Sequence, residues 1–87
     1  MSGVVMINEF TVTIASDEEH DKVFAEIFCG EKFVALVSQE KGVNRLEIEF
    51  PPAGIDEKLI MRAVDMEGFQ QALVAAMKRL RGQMQSN

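Results

Sequence analysis

Eighty-seven residues suffice for one domain around one core, because a chain this short buries only about 60–65% of its unfolded surface. Nine Lys+Arg against fourteen Asp+Glu leave a net charge of −5, which disfavours nucleic acid and an anionic membrane and favours a basic protein partner. Apolar residues make up 47% of the chain and recur from Val4 to Leu80, which excludes extended disorder.

The single cysteine, Cys29, excludes an intramolecular disulfide. Met1 to Phe10 has no basic region leading into an apolar one, and no apolar run approaches the roughly 20 residues of a membrane helix. The expectation is a cytoplasmic chain, one domain over 1–87, with an ordered core over about 6–82 and a frayed tail over 83–87.

Most of the chain reads with period two and the last quarter with period 3.6. Phe10, Val12 and Ile14 alternate with Glu9, Thr11 and Thr13, the pattern of a half-buried strand. The polar stretch Ser16 to Asp21 ends it. Two apolar runs follow, Val23 to Cys29 and Phe33 to Gln39, joined by Gly30-Glu31. A glycine first in a two-residue connection suits a type II′ hairpin, which faces Phe28 with Phe33, Ile27 with Val34 and Ala25 with Leu36.

Arg45 to Phe50 alternates strictly, with Leu46, Ile48 and Phe50 on one face. Glu40-Lys41-Gly42 predicts a tight turn that pairs Gln39 with Val43 and sets Leu46 beside Leu36. A loop one residue longer or shorter would flip which face these residues join. Pro51-Pro52 ends the strand. Leu59, Met61 and Ala63 alternate with Ile60, Arg62 and Val64 and predict a final strand, with a helix starting near Asp56 as the competing assignment. Asp65 is a predicted helix N-cap with Glu67 in the first turn. Phe69, Ala72, Leu73, Ala76, Met77 and Leu80 form one apolar stripe, and Gly82 is a stop signal. The predicted architecture is α+β: an antiparallel sheet of four to five strands in meander order, with one C-terminal helix on one face.

One helix covers one side of a sheet. On its side the register places Val23, Ala25, Ile27, Val34, Leu36, Leu46, Ile48 and Phe50. The other side then holds Phe24, Phe28, Phe33, Ala35 and Val37, with Glu26, Glu47 and Glu49 among them. A solvated face normally carries polar residues, so three phenylalanines imply a cover. A second copy of the chain, a different protein, or the N-terminal segment folded across would each supply one. A homodimer is expected first among interfaces, since two-fold dimers dominate soluble oligomers. A register error would instead put the phenylalanines in the core. The predicted interaction surface is Phe24, Glu26, Phe28, Phe33, Val37, Glu47 and Glu49.

Chemistry is sparse. His20 is the sole histidine, which excludes a multi-histidine metal site in one chain, and its acidic neighbours Asp17, Glu18, Glu19 and Asp21 favour its protonated form. Those carboxylates lack the ligand spacing and glycine of a calcium loop. Cys29 lies nine positions from His20 at the other end of the same run, too far for a nucleophile–base pair. Gly30, Gly42, Gly54, Gly68 and Gly82 stand singly, so no phosphate loop is encoded. No catalytic residue, cofactor site or metal site is assigned.

The stretches Ala25-Glu26-Ile27, Phe33-Val34-Ala35-Leu36-Val37-Ser38-Gln39-Glu40 and Leu46-Glu47-Ile48-Glu49-Phe50-Pro51 resemble small, mostly uncharacterised bacterial proteins grouped with polymorphic-toxin immunity proteins. The likeness spans about Phe10 to Leu80 and contains no catalytic motif. It implies a sheet-plus-helix protein that acts by binding, with a toxin-neutralising role. The uncovered phenylalanine face leads to a non-enzymatic binding module that self-associates through it, with an immunity-like inhibitor as its sharpest version. The alternative is an enzyme or small-ligand carrier whose site forms between subunits from Glu26, His20 or Arg62.

Overall fold

The structure is a computed structural model that describes residues 5–7 and 9–84. Five antiparallel strands, β1 (Val5–Ile7), β2 (Phe10–Ala15), β3 (Phe24–Cys29), β4 (Lys32–Ser38) and β5 (Glu47–Glu49), lie in meander order, and the helix α1 (Met66–Met84) packs on one face. The α+β class and the single C-terminal helix follow the sequence pattern. Two memberships differ. The first strand is Val5–Ile7, paired beside β2, so this part of the N-terminal segment extends the sheet rather than folding across it. The predicted strand over 58–64 is a 3₁₀ turn at Glu57–Leu59 followed by one parallel bridge from Ile60 to Phe33. The Asp56 side chain accepts the Lys58 amide and starts that turn, and only Ile60 in the segment is buried.

The β3–β4 hairpin turns as the glycine predicts. Gly30 has φ +63, and Cys29 pairs with Lys32 and Phe28 with Phe33. The ladder then shifts: Ile27 pairs with Ala35, not Val34, leaving Val34 as the extra residue of a β-bulge. Val34 and Ala35 both enter the core, and every later residue of β4 changes face. Ala25 therefore pairs with Val37, and Leu36 moves to the side away from the helix.

A second departure offsets the first. The β4–β5 connection spans residues 39–46, with a turn closed by the Gly42 amide donating to the Gln39 carbonyl at 2.9 Å, and Ser38 pairs with Glu47. Ile48 then faces Val37 and keeps the helix side, while Glu47 and Glu49 keep the other. Two odd shifts restore the parity that one alone would reverse.

Phe10, Val12, Ala25, Ile27, Ala35 and Val37 meet Ala72, Ala76 and Leu80 in the core. The two alanines let α1 lie close to the sheet. Asp65 caps α1 as predicted, its Oδ2 accepting the Gly68 amide at 2.8 Å. The helix runs through Gly82 to Met84, and residues 85–87 of the expected frayed tail lie outside the described residues.

Candidate interaction face

The sheet face opposite α1 is assembled by cross-strand pairing. Thr11, Phe28 and Phe33 form one row, and Thr13, Glu26, Leu36 and Glu49 the next. Phe28 and Phe33 meet edge to face, with ring centroids 5.5 Å apart and an interplanar angle of 70°. Leu36 stands diagonally behind them. All three are half-buried.

Carboxylates flank this apolar centre along one side. Glu26 lies between Thr13 and Leu36, and its carboxyl is raised above the usual value by burial and then by the charge of Asp17. Glu49 lies across Leu36 on the other side, and Glu47 lies across Ser38. Glu47 holds the Lys41 ammonium at 2.7 Å, which raises the lysine's affinity for its proton.

His20 closes one end of the face. Asp17 organises the β2–β3 loop, its Oδ1 accepting the Glu19 and His20 amides at 3.0 and 2.9 Å. The His20 ring sits against Phe24, centroids 4.7 Å apart, with Nδ1 2.8 Å from Asp17 Oδ1 and Nε2 3.2 Å from both Glu49 oxygens. The bond to Asp17, aided by Glu49, holds the imidazole above its ordinary pKa, and the same bond holds Asp17 below its own.

Of the predicted interaction residues, Phe28, Phe33, Glu26, Glu47 and Glu49 share this face. Phe24 points the same way but is only 3% exposed, because His20 covers it. Val37 does not belong to the face. It is 4% exposed in the core beneath α1, since the Val34 bulge reverses its side. Ala35 is corrected for the same reason. Leu36 takes their place, and its only sequence signal is that it neighbours Val37 in an apolar run that cannot report parity.

The residues with chemical potential are dispersed. Cys29 ends β3 far from His20, and burial, then the nearby Glu9 charge, pushes its thiol up, away from thiolate character. Arg62 donates to both Glu57 oxygens at 2.8 and 2.9 Å and lines a cleft of about 300 Å³ with Val34, Phe50 and Phe69. That cleft lies on the helix side, so one chain does not bring Arg62 together with His20 and Glu26. A second cleft, of about 680 Å³, is lined by Glu9, Phe10, Cys29, Met61 and Asp65. Among the described residues, no three His, Cys, Asp or Glu side chains are grouped to hold a metal ion, and no helix is long and apolar enough to cross a membrane.

No protein-family model, curated protein or solved structure matches this chain.

Proposed function

We propose that the chain is a non-enzymatic protein-binding module that uses the helix-free face of its sheet. The observation that carries this reading is the Phe28–Phe33–Leu36 centre set among Glu26, Glu47 and Glu49. An apolar centre with a charged rim is the composition of an interface. The rim is acidic, so the partner it fits carries an apolar contact ringed by Lys or Arg. A net charge of −5 steers such a partner inward and repels a phosphate backbone.

The same charges bear on self-association. A two-fold dimer through this face would gather Glu26, Glu47 and Glu49 of both copies into one interface, and that concentration of like charge opposes the pairing. A basic partner is the better fit, and an immunity-like inhibitor of a basic toxin, acting in the cytoplasm, is the sharpest form of the reading.

Light scattering across a chromatography peak separates the two cases. A monomer at micromolar and at hundredfold higher loading is expected, and a persistent dimer that Phe28→Ser dissolves would transfer the face to self-assembly. Calorimetry with the protein encoded beside this chain's gene then tests the partner. Glu47→Lys and Glu49→Lys are each expected to weaken binding about tenfold or more. Equal affinity in both reversals would remove this face from the interface.

A further inference from the structure

His20 joins two parts of the chain that are 29 residues apart, the β2–β3 loop and the edge strand β5. The chemistry of the joint is restrictive. Asp17 and Glu49 flank the ring with carboxylate oxygens, which accept hydrogen bonds. Both ring nitrogens must therefore donate, and only the imidazolium has two N–H groups. The His20 side chain is 10% exposed, while Asp17 and Glu49 keep 43% and 42% of their side-chain surface in water.

The two bonds are unequal. Asp17 is fixed independently by the Glu19 and His20 amides and sits at 2.8 Å, whereas Glu49 is reached at 3.2 Å. A neutral ring keeps its one proton on Nδ1, toward Asp17. The Nε2 lone pair then faces the lone pairs of Glu49, and that contact turns repulsive.

We propose that His20 is a proton-operated latch that fastens the edge strand β5 to the β2–β3 loop as an imidazolium and releases Glu49 when it becomes neutral. The surrounding charges favour the fastened state. Glu40 accepts the Asp21 and Lys22 amides at 3.0 Å each and adds its negative field to that of Asp17 and Glu49. Glu26 on β3 lies within the field of Asp17. The opposing cations are Lys22, which is engaged by the Glu40 charge, and Lys41, which is paired with Glu47. Phe24 beneath the ring carries no charge, its ring tilted 48° to the imidazole at 4.7 Å.

The latch acts on a short edge strand. β5 has three residues and pairs only with β4, and Glu49 is its last. Release loosens that edge and leaves an unpaired carboxylate on the helix-free face. This holds whether or not the face binds a partner, so the two readings fail separately.

The test is nitrogen-15 NMR of the His20 ring in the full chain from pH 5 to 9, with amide exchange of β5 expressed relative to β3 at each pH. Both ring nitrogens are expected to stay protonated above the pH at which an unstructured histidine loses its proton. The β5-to-β3 exchange ratio is expected to rise several-fold through the His20 titration. Glutamine both donates and accepts, so Glu49→Gln should hold the latch shut at every pH, whereas Glu49→Ala should leave it open at every pH. A His20 that titrates at or below the unstructured value, or an exchange ratio that ignores pH in the unaltered protein, would overturn the proposal.

Discussion

Phe28 and Phe33 are direct cross-strand partners, edge to face at 5.5 Å, on the side of the sheet that α1 leaves uncovered. The pair sits immediately before the bulge, so it marks the last position at which the hairpin register still follows its turn. Cross-strand aromatic pairs of this geometry contribute about 0.5–1.5 kcal/mol beyond their burial. A double-mutant cycle of Phe28→Ala and Phe33→Ala in urea should recover a coupling in that range. A coupling near zero would mean that the rings do not meet in solution.

The bulge makes neighbouring residues respond in opposite ways. Val37 is in the core and Leu36 is half-buried on the open face. Val37→Asp puts an unpaired charge beneath α1 and should cost several kcal/mol, enough to unfold a domain whose whole stability is about 5–15 kcal/mol or abolish its cooperative melt. Leu36→Asp should leave a folded protein with a lower midpoint. The reverse order, read by circular dichroism on heating, would restore the uninterrupted register.

Gly68 is in the first turn of α1, where helix propensity alone favours alanine by up to about 1 kcal/mol. A Cβ at this position would lie 2.7 Å from Phe10 Cε1 and 3.2 Å from the capping oxygen of Asp65. Phe10 is buried, and its ring also meets Phe69 at 6.3 Å, so it has little room to yield. Gly68→Ala should therefore destabilise, by about 1–3 kcal/mol in chemical denaturation. A stabilised variant would show that the helix can lift from β2 without cost.

Two shifted groups give stability a defined pH dependence. His20 binds its proton more tightly when folded, so its contribution is complete below the unfolded value near 6.5 and is lost as pH rises through the folded value. The unaltered protein should lose stability over that window, and His20→Gln should not. Glu26 is also raised, by burial first, so its ionised form is penalised at neutral pH. Glu26→Gln should stabilise at pH 7 by less than about 1 kcal/mol, since solvent still reaches the group, and the gain should vanish below pH 4. Denaturation midpoints at pH 3.5, 7 and 8.5 check both signs.

The type of most elements was legible in the residues because it depends on local chemistry. Gly30 can take the positive φ a two-residue hairpin needs, Asp65 can cap the helix that follows it, and the stripe from Phe69 to Leu80 has only one way to face a sheet. Glu26, Glu47 and Glu49 fell on one face as predicted, although for Glu47 and Glu49 this took two shifts that offset each other. The 58–64 segment differs from its predicted strand because alternation in a row of apolar residues also suits an extended stretch held by a single bridge.

What the sequence determined by itself is the α+β class, the hairpin, the capped helix and an acidic surface with aromatic residues in it. These follow from backbone preferences and from the free energy of burying a periodic stripe, both properties of neighbouring residues. Only the tertiary structure decided which of Leu36 and Val37 meets solvent, and that His20 reaches Glu49. The first depends on Val34 and Ala35 both finding room under α1, which permits a bulge that period two cannot encode. The second depends on a loop and an edge strand 29 residues apart arriving at the same end of the sheet, and no local propensity carries that information.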